Sequence, residues 1–378
     1  MKSSTAIYGF LSSAPPTPCG IATFSAALGS ALVRQGADVR IVRVLDVPEP
    51  PSTSAFPVIG QLVAAKPSTI EPAAAALNQC DVVFVQHEYG LYGGPDGSAI
   101  VDVLKGIHVP VLAILHTVLP FPTPHQVQVL NEVIRSVDSV VVMTSAAEAT
   151  LRKVNDVGRT SVTVIPHGAA VADAPSTASR HARALLLTWG LIGPGKGIEW
   201  VIDALASLKD IVPAPLYVIA GRTHPKVLAY EGDVYRRMLE QRVIDNDVSE
   251  MVVFDNSYRD LPSLNQLISS ADVVVLPYDS VDQATSGVLV DAIAAGRPVI
   301  ATAFPHAVEL LSEGAGLVVE HKNPDAISRA LRRTICEPKF AERMRLEARR
   351  IAPSLSWDAV ATQYLELADR MLLSVGVG

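Results

Sequence analysis

Two glycine-flanked segments about a hundred residues apart hold the groups most able to do chemistry. The first is Gly190-Leu-Ile-Gly-Pro-Gly-Lys-Gly197. It follows the apolar run Leu185 to Trp189 and sets a lone lysine where a glycine-rich turn enters a helical pattern, an arrangement suited to anionic phosphate. The second, Gln283-Ala-Thr-Ser-Gly-Val-Leu-Val-Asp291, runs on into Ala-Ile-Ala-Ala-Gly-Arg-Pro. It reads as a helix opening at Ser286 and Gly287, whose free N–H groups can also meet phosphate, and ending at Gly296 before Pro298. Asp291 lies one turn along, on the face of Gly287. Its neighbours Val288, Leu289, Val290 and Ile293 are apolar, so an ionised carboxylate there needs a partner, and sugar hydroxyls would serve.

These segments need a scaffold, and the alternation of short β-branched runs with helical stretches supplies one: parallel sheets covered by helices. In the first half the expected strands are Ala6–Leu11, Val39–Leu45, Val82–Val85, Val109–Leu115, Ser139–Met143 and Ser161–Ile165. In the second they are Leu185–Trp189, Leu216–Ala220, Met251–Phe254, Val273–Leu276, Val299–Ala301 and Leu317–Val319. A chain of 378 residues fits two domains of this kind. His167 to Arg183, rich in Ala with interspersed Ser and Asp, reads as the linker. Two doubly wound domains imply a cleft that the lysine turn would face. In the first domain a helix follows Gly20, with Ile21, Phe24, Leu28 and Leu32 at helical spacing, so the loop Ser12 to Cys19 sits at a strand's carboxyl end. Gly20 lets backbone approach a ligand closely there.

Composition narrows the partners. With 49% hydrophobic and 18% charged residues the chain is globular, and a formal charge of -7 gives no general attraction to nucleic acid. The three cysteines are scattered, with no zinc spacing, which points to a reducing cytoplasm. No run approaches the roughly 20 apolar residues of a membrane span. The stretch Asp46 to Ser68 is proline-rich with Lys66 its only cation, so at most weak membrane association is expected. Asp245-Asn-Asp247 has an acid-x-acid look, but at a helix end these are ordinary turn residues. His87-Glu88 lacks the second histidine of a zinc protease.

Across almost its whole length the chain resembles the retaining glycosyltransferases of family 4, which have the GT-B fold, and more narrowly their mannosyltransferase-like branch. The segments that carry the resemblance occur in family order: Pro18-Cys-Gly-Ile-Ala-Thr-Phe24, Gln86-His-Glu-Tyr-Gly90, Leu115-His-Thr-Val-Leu-Pro120, Ile165-Pro-His-Gly168, the lysine turn, Ala220-Gly-Arg-Thr-His-Pro225 and the Asp291 helix. Two departures stand out. The family's pair of glutamates separated by seven residues appears as Gln283 and Asp291, and the usual arginine of the lysine turn is Leu191.

The resemblance implies an N-terminal acceptor-side domain, 1–175, and a donor-binding domain, 176–353, with the helix 354–378 crossing back to the first. It implies a retaining hexosyltransferase using a nucleotide sugar, GDP-mannose first, on a soluble saccharide acceptor, without a metal. Lys196 would take the diphosphate; Ser286, Gly287, Val288 and Leu289 would offer N–H groups to it, and Asp291 would hold ribose. Asp282 and Gln283 fall near the donor sugar, Arg222 is a candidate second cation, and His116 lies by the reacting centre. Gly20 borders the diphosphate or acceptor, and His87 and Glu88 fit acceptor hydroxyls. Kept open beside this are a UDP- or ADP-glucose transferase, an epimerase or hydrolase on the same scaffold, and a weakly catalytic sugar-binding protein.

Overall fold

A computed structural model describes residues 6–17, 19–48, 55–171, 182–257 and 259–375. The chain separates into two compact units, one of residues 1–168 with 357–378 and the other of residues 169–356. The boundary expected at 175/176, most of the expected linker, and Pro18 lie outside the described residues.

The first unit holds seven parallel strands: β1 (Ile7–Ser12), β2 (Asp38–Leu45), β3 (Val58–Val63), β4 (Val82–His87), β5 (Val111–Leu115), β6 (Ser139–Val142) and β7 (Ser161–Val164). Their order is β3-β2-β1-β4-β5-β6-β7, so the winding reverses between β1 and β4. The loops after those two strands therefore flank the switch point where doubly wound sheets gather ligands. β3 corrects the expectation, which had no strand there. Its Val-Ile-Gly-Gln-Leu-Val is half-exposed at the sheet edge, and the Gly-Gln break hides the apolar alternation. Pairing with β2, from Ile41↔Val58 to Leu45↔Val63, recruits it all the same. The core joins Phe10, Phe24, Leu28 and Phe84 to Val360, Tyr364 and Leu367 of the terminal helix Trp357–Val375.

The second unit holds six parallel strands, β8 (Leu185–Trp189), β9 (Leu216–Ala220), β10 (Val252–Asp255), β11 (Val273–Leu276), β12 (Val299–Thr302) and β13 (Gly316–Val319), in the order β10-β9-β8-β11-β12-β13. All six overlap the expected runs. Side chains alternate across the sheet: Leu187, Val274 and Leu276 meet Leu289, Ile293 and Phe304 on one face, while Leu186, Ile219 and Val275 meet Val201, Ile202 and Leu331 on the other. The switch point here lies between β8 and β11. The lysine turn follows β8, and the segment leading to Ser286 follows β11. Among the described residues no helix is long and apolar enough to cross a membrane.

Candidate functional site

Residues 190 to 197 form a tight turn between β8 and the helix Ile198–Leu205, with Gly190, Gly195 and Gly197 all at positive φ. The turn is tied to the segment after β11. The Asp279 N–H donates to the Gly195 carbonyl at 2.9 Å, and the Trp200 indole N–H donates to the Asp279 carboxylate at 2.8 Å. At Gly197, with φ +65°, an added Cβ would fall 1.8 Å from the Pro277 carbonyl oxygen, so no other residue fits without movement. This packing places the Lys196 ammonium 4.6 Å from the centroid of the Tyr278 ring. Lys196 makes no ion pair among the described residues, and burial pushes its pKa below the ordinary value. A partly desolvated, unpaired cation at a switch point favours an anion.

The helix Gly287–Ala294 begins beside it. Ser286 caps the helix through its hydroxyl, which accepts from the Leu289 N–H at 3.2 Å. The Ser286 N–H donates to His306 Nδ1 at 2.8 Å. This corrects the expected donor set, because the N–H groups of Ser286 and Leu289 already have acceptors. Gly287 and Val288 keep the first-turn N–H groups that a helix leaves free. Asp282 and Gln283, expected near the donor sugar, each make one hydrogen bond within their own loop: Asp282 accepts from the Ser280 hydroxyl at 3.2 Å, and the Gln283 amide donates to the Thr285 carbonyl at 3.2 Å. Arg222 is exposed, with Nε on the Asn256 carbonyl at 3.3 Å. Its own carbonyl accepts from the Ile192 N–H at 2.9 Å, which sets the loop after β9 against the lysine turn.

Asp291 faces a cavity of about 80 Å³ walled by Val171, Ile268 and Ala295, with Asn265 and Ser269 at its polar side. Burial raises its carboxyl pKa from 3.8 to about 7, and among the described residues no hydrogen bond or ion pair compensates. The sign is that of a penalty on folding: below pH 3.8 folded and unfolded states are both protonated, and stability falls as pH rises from there to about 7. Asp291→Asn is therefore expected to raise the melting temperature of the ligand-free protein at pH 8 and to leave it unchanged near pH 4. Equal shifts at both pH values, read by calorimetry, would refute the buried-charge account.

In the first unit the carboxyl ends of β4, β5 and β7 gather three histidines. His87 is 1% exposed, and among the described residues its Nδ1 has no hydrogen-bond partner. His116 packs edge-on against Phe24 at 4.8 Å, and His167 lies between Phe24 and Trp357. Burial lowers their pKa values to about 4, 3 and 4, with His167 and His87 depressing His116 further, so all three are neutral near pH 7. Gln86, overlooked as a site residue, orients His116: its Oε1 accepts from Nε2 at 2.7 Å. The Glu88 carboxylate accepts from the Thr117 hydroxyl and from the Tyr89 N–H. Gly20 opens the helix Gly20–Arg34 with space around its Cα, and Cys19 caps that helix by accepting from the Ala22 N–H at 3.3 Å. The acid-x-acid residues belong to a turn. Asp245 ends a helix and accepts from Gln241, while Asp247, at φ +52°, pairs with Lys209. Among the described residues no cluster of three or more His, Cys, Asp or Glu could hold a metal ion.

Comparison with known proteins agrees with this architecture. Residues 18–172 match the family model described as Glycosyltransferase Family 4, and residues 172–351 match Glycosyl transferases group 1. Two curated relatives are D-inositol 3-phosphate glycosyltransferases. That of Jonesia denitrificans is 31% identical over 198 residues, 50% of this chain and 43% of its own length. That of Thermomonospora curvata is 27% identical over 48% of this chain and 42% of its own length. The matched stretch thus spans less than half of either relative. Among solved structures, sucrose-phosphate synthase from Thermosynechococcus elongatus superposes with a TM-score of 0.76 at 21% identity, covering 98% of this chain and 100% of that one. Anabaena HepE in complex with UDP gives 0.75 at 17% identity, covering 96% and 99%. Two abutting family matches over two sheets of this topology place the chain among the glycosyltransferases of GT-B type.

Proposed function

We propose that this protein is a retaining hexosyltransferase that moves mannose from GDP-mannose onto a hydroxyl of a soluble saccharide, forming an α-linkage. The observation that carries the reading is the Lys196 ammonium, without an ion-pair partner among the described residues, at the β8/β11 switch point beside the first-turn N–H groups of Gly287 and Val288. Together they offer a cation and a helix N-terminus to a diphosphate. Mannose and guanine come from the sequence resemblance. In the reaction the bond from the sugar's anomeric carbon to the diphosphate oxygen breaks while a bond from the acceptor oxygen forms on the same face. The acceptor's proton passes to an oxygen of the departing diphosphate, and Lys196 balances the charge that builds there. The neutral His116, whose Nε2–H is held by Gln86, accepts a hydrogen bond at Nδ1 from a sugar hydroxyl, and Gly20, His87 and Glu88 stand on the acceptor side. Asp291 holds ribose, with Asp282, Gln283 and Arg222 peripheral.

The second reading is a UDP-sugar donor with an inositol phosphate acceptor. The curated relatives' names and the UDP in HepE favour it. Thermal shift with GDP-mannose, UDP-glucose and ADP-glucose separates the two, since a donor at a hundred times its Kd stabilises by about 2.7 kcal/mol. No shift with any nucleotide sugar would sink both. Asp291→Asn should also weaken nucleotide binding about tenfold, near the worth of one hydrogen bond to a charged group.

Full activity is expected in EDTA. Lysine and backbone N–H groups neutralise the diphosphate in this reading, and the acid-x-acid pair is occupied by Gln241 and Lys209. Activity lost in chelator and restored by Mg²⁺ or Mn²⁺ would show that a cation shares that duty.

A further inference from the structure

The ring beneath Lys196 is among the best-anchored groups of the second unit. Tyr278 is 2% exposed and stacks on Phe304, centroids 5.3 Å apart at 30°. Its carbonyl accepts from the Thr302 hydroxyl at 2.6 Å and from the His321 Nδ1–H at 2.8 Å. Its hydroxyl interacts with Ser286, the cap of the Gly287 helix. One side chain thus touches both halves of the proposed diphosphate site.

A buried lysine is commonly steadied by a carboxylate, but here that would cancel the charge and repel an incoming diphosphate. Asp279 is one residue away, and its carboxylate is held by the Trp200 indole N–H. An aromatic face attracts the ammonium through its quadrupole while carrying no net charge, so Lys196 is steadied and its full charge stays available.

We infer that Tyr278 is a positioning residue: its ring presets the Lys196 ammonium for the diphosphate. This rests on the reading of Lys196 as a diphosphate ligand. It also assigns a role to the sequence Leu276-Pro-Tyr278, which otherwise reads as the end of a buried strand.

The test uses GDP and UDP as probes, with affinity measured by calorimetry on the full chain. Position 278 is replaced by phenylalanine and then by phenylalanines carrying one to three ring fluorines, which drain the ring's negative face while keeping its shape. Tyr278→Phe is expected to bind within about threefold of the native protein, and affinity should fall stepwise to about tenfold weaker at three fluorines. In a Lys196→Ala background the same series should be flat. A flat series with Lys196 present would overturn the platform role while leaving the lysine reading intact, provided Lys196→Ala alone binds weakly. Native affinity in Lys196→Ala would overturn both. Thermal melts of each variant separate a lost fold from a lost charge contact, since near-isosteric fluorination leaves packing in place.

Discussion

Lys196→Ala is expected to lower turnover on the order of a hundredfold or more, the usual cost of deleting one preorganised electrostatic contact in a transition state. In the proposed reaction the departing diphosphate gains charge as its bond to the sugar breaks, so a cation fixed beforehand would act more strongly on the transition state than on the ground state. Three features make the effect large here. The ammonium has no ion-pair partner among the described residues, it is partly desolvated, and it rests on a rigid ring instead of swinging in solvent. Steady-state kinetics should show kcat falling more than donor KM rises. A near-normal kcat would remove Lys196 from the mechanism. An unchanged kcat with a raised KM would reduce it to uniform binding of the donor.

The scaffold was largely legible in the residues because parallel strands buried on both faces leave continuous apolar runs such as Val273–Leu276 and Leu185–Trp189. Glycine and lysine at 190–197 and serine and glycine at 286–287 marked the two ends that meet at the second unit's switch point, since such residues are seldom adjacent without a backbone reason. What stayed hidden depends on contacts that have no local period. Lys196 over Tyr278, Ser286 on His306, and Gln86 on His116 join residues 82, 20 and 30 positions apart. No window of sequence relates them. The free-donor set was misread for the same reason: Ser286 looks like an open helix start until His306 is seen to accept its N–H. β3 failed differently, as an edge strand with one glycine and one glutamine that only pairing with β2 makes a strand.

The largest structural effect is expected from a single methyl group. Gly197→Ala meets two penalties at once. Its φ of +65° is a left-handed conformation costing a non-glycine residue about 1–2 kcal/mol, and the new Cβ would stand 1.8 Å from the Pro277 carbonyl oxygen, a backbone atom that no side-chain rotation can clear. Either the turn or residues 277–279 must shift. A shift strains the Asp279–Gly195 hydrogen bond and moves Tyr278 from under Lys196. Gly195→Ala is the matched control, since Gly195 also has positive φ, +84°, but has open space where the Cβ would go. Conformational strain alone should lower the control's melting temperature by about 2–4 °C, as about 1 kcal/mol does in a unit of this size. Gly197→Ala should lose roughly 3 kcal/mol or more, about 8 °C, once the overlap is added. Its affinity for GDP or UDP should also fall at least tenfold at a temperature where the variant remains folded, in keeping with the loss of one charged contact. Melting temperatures within a degree or two of each other for the two variants would mean that the approach to Pro277 is not as close as described, and that the lysine turn is held by its glycines' freedom alone.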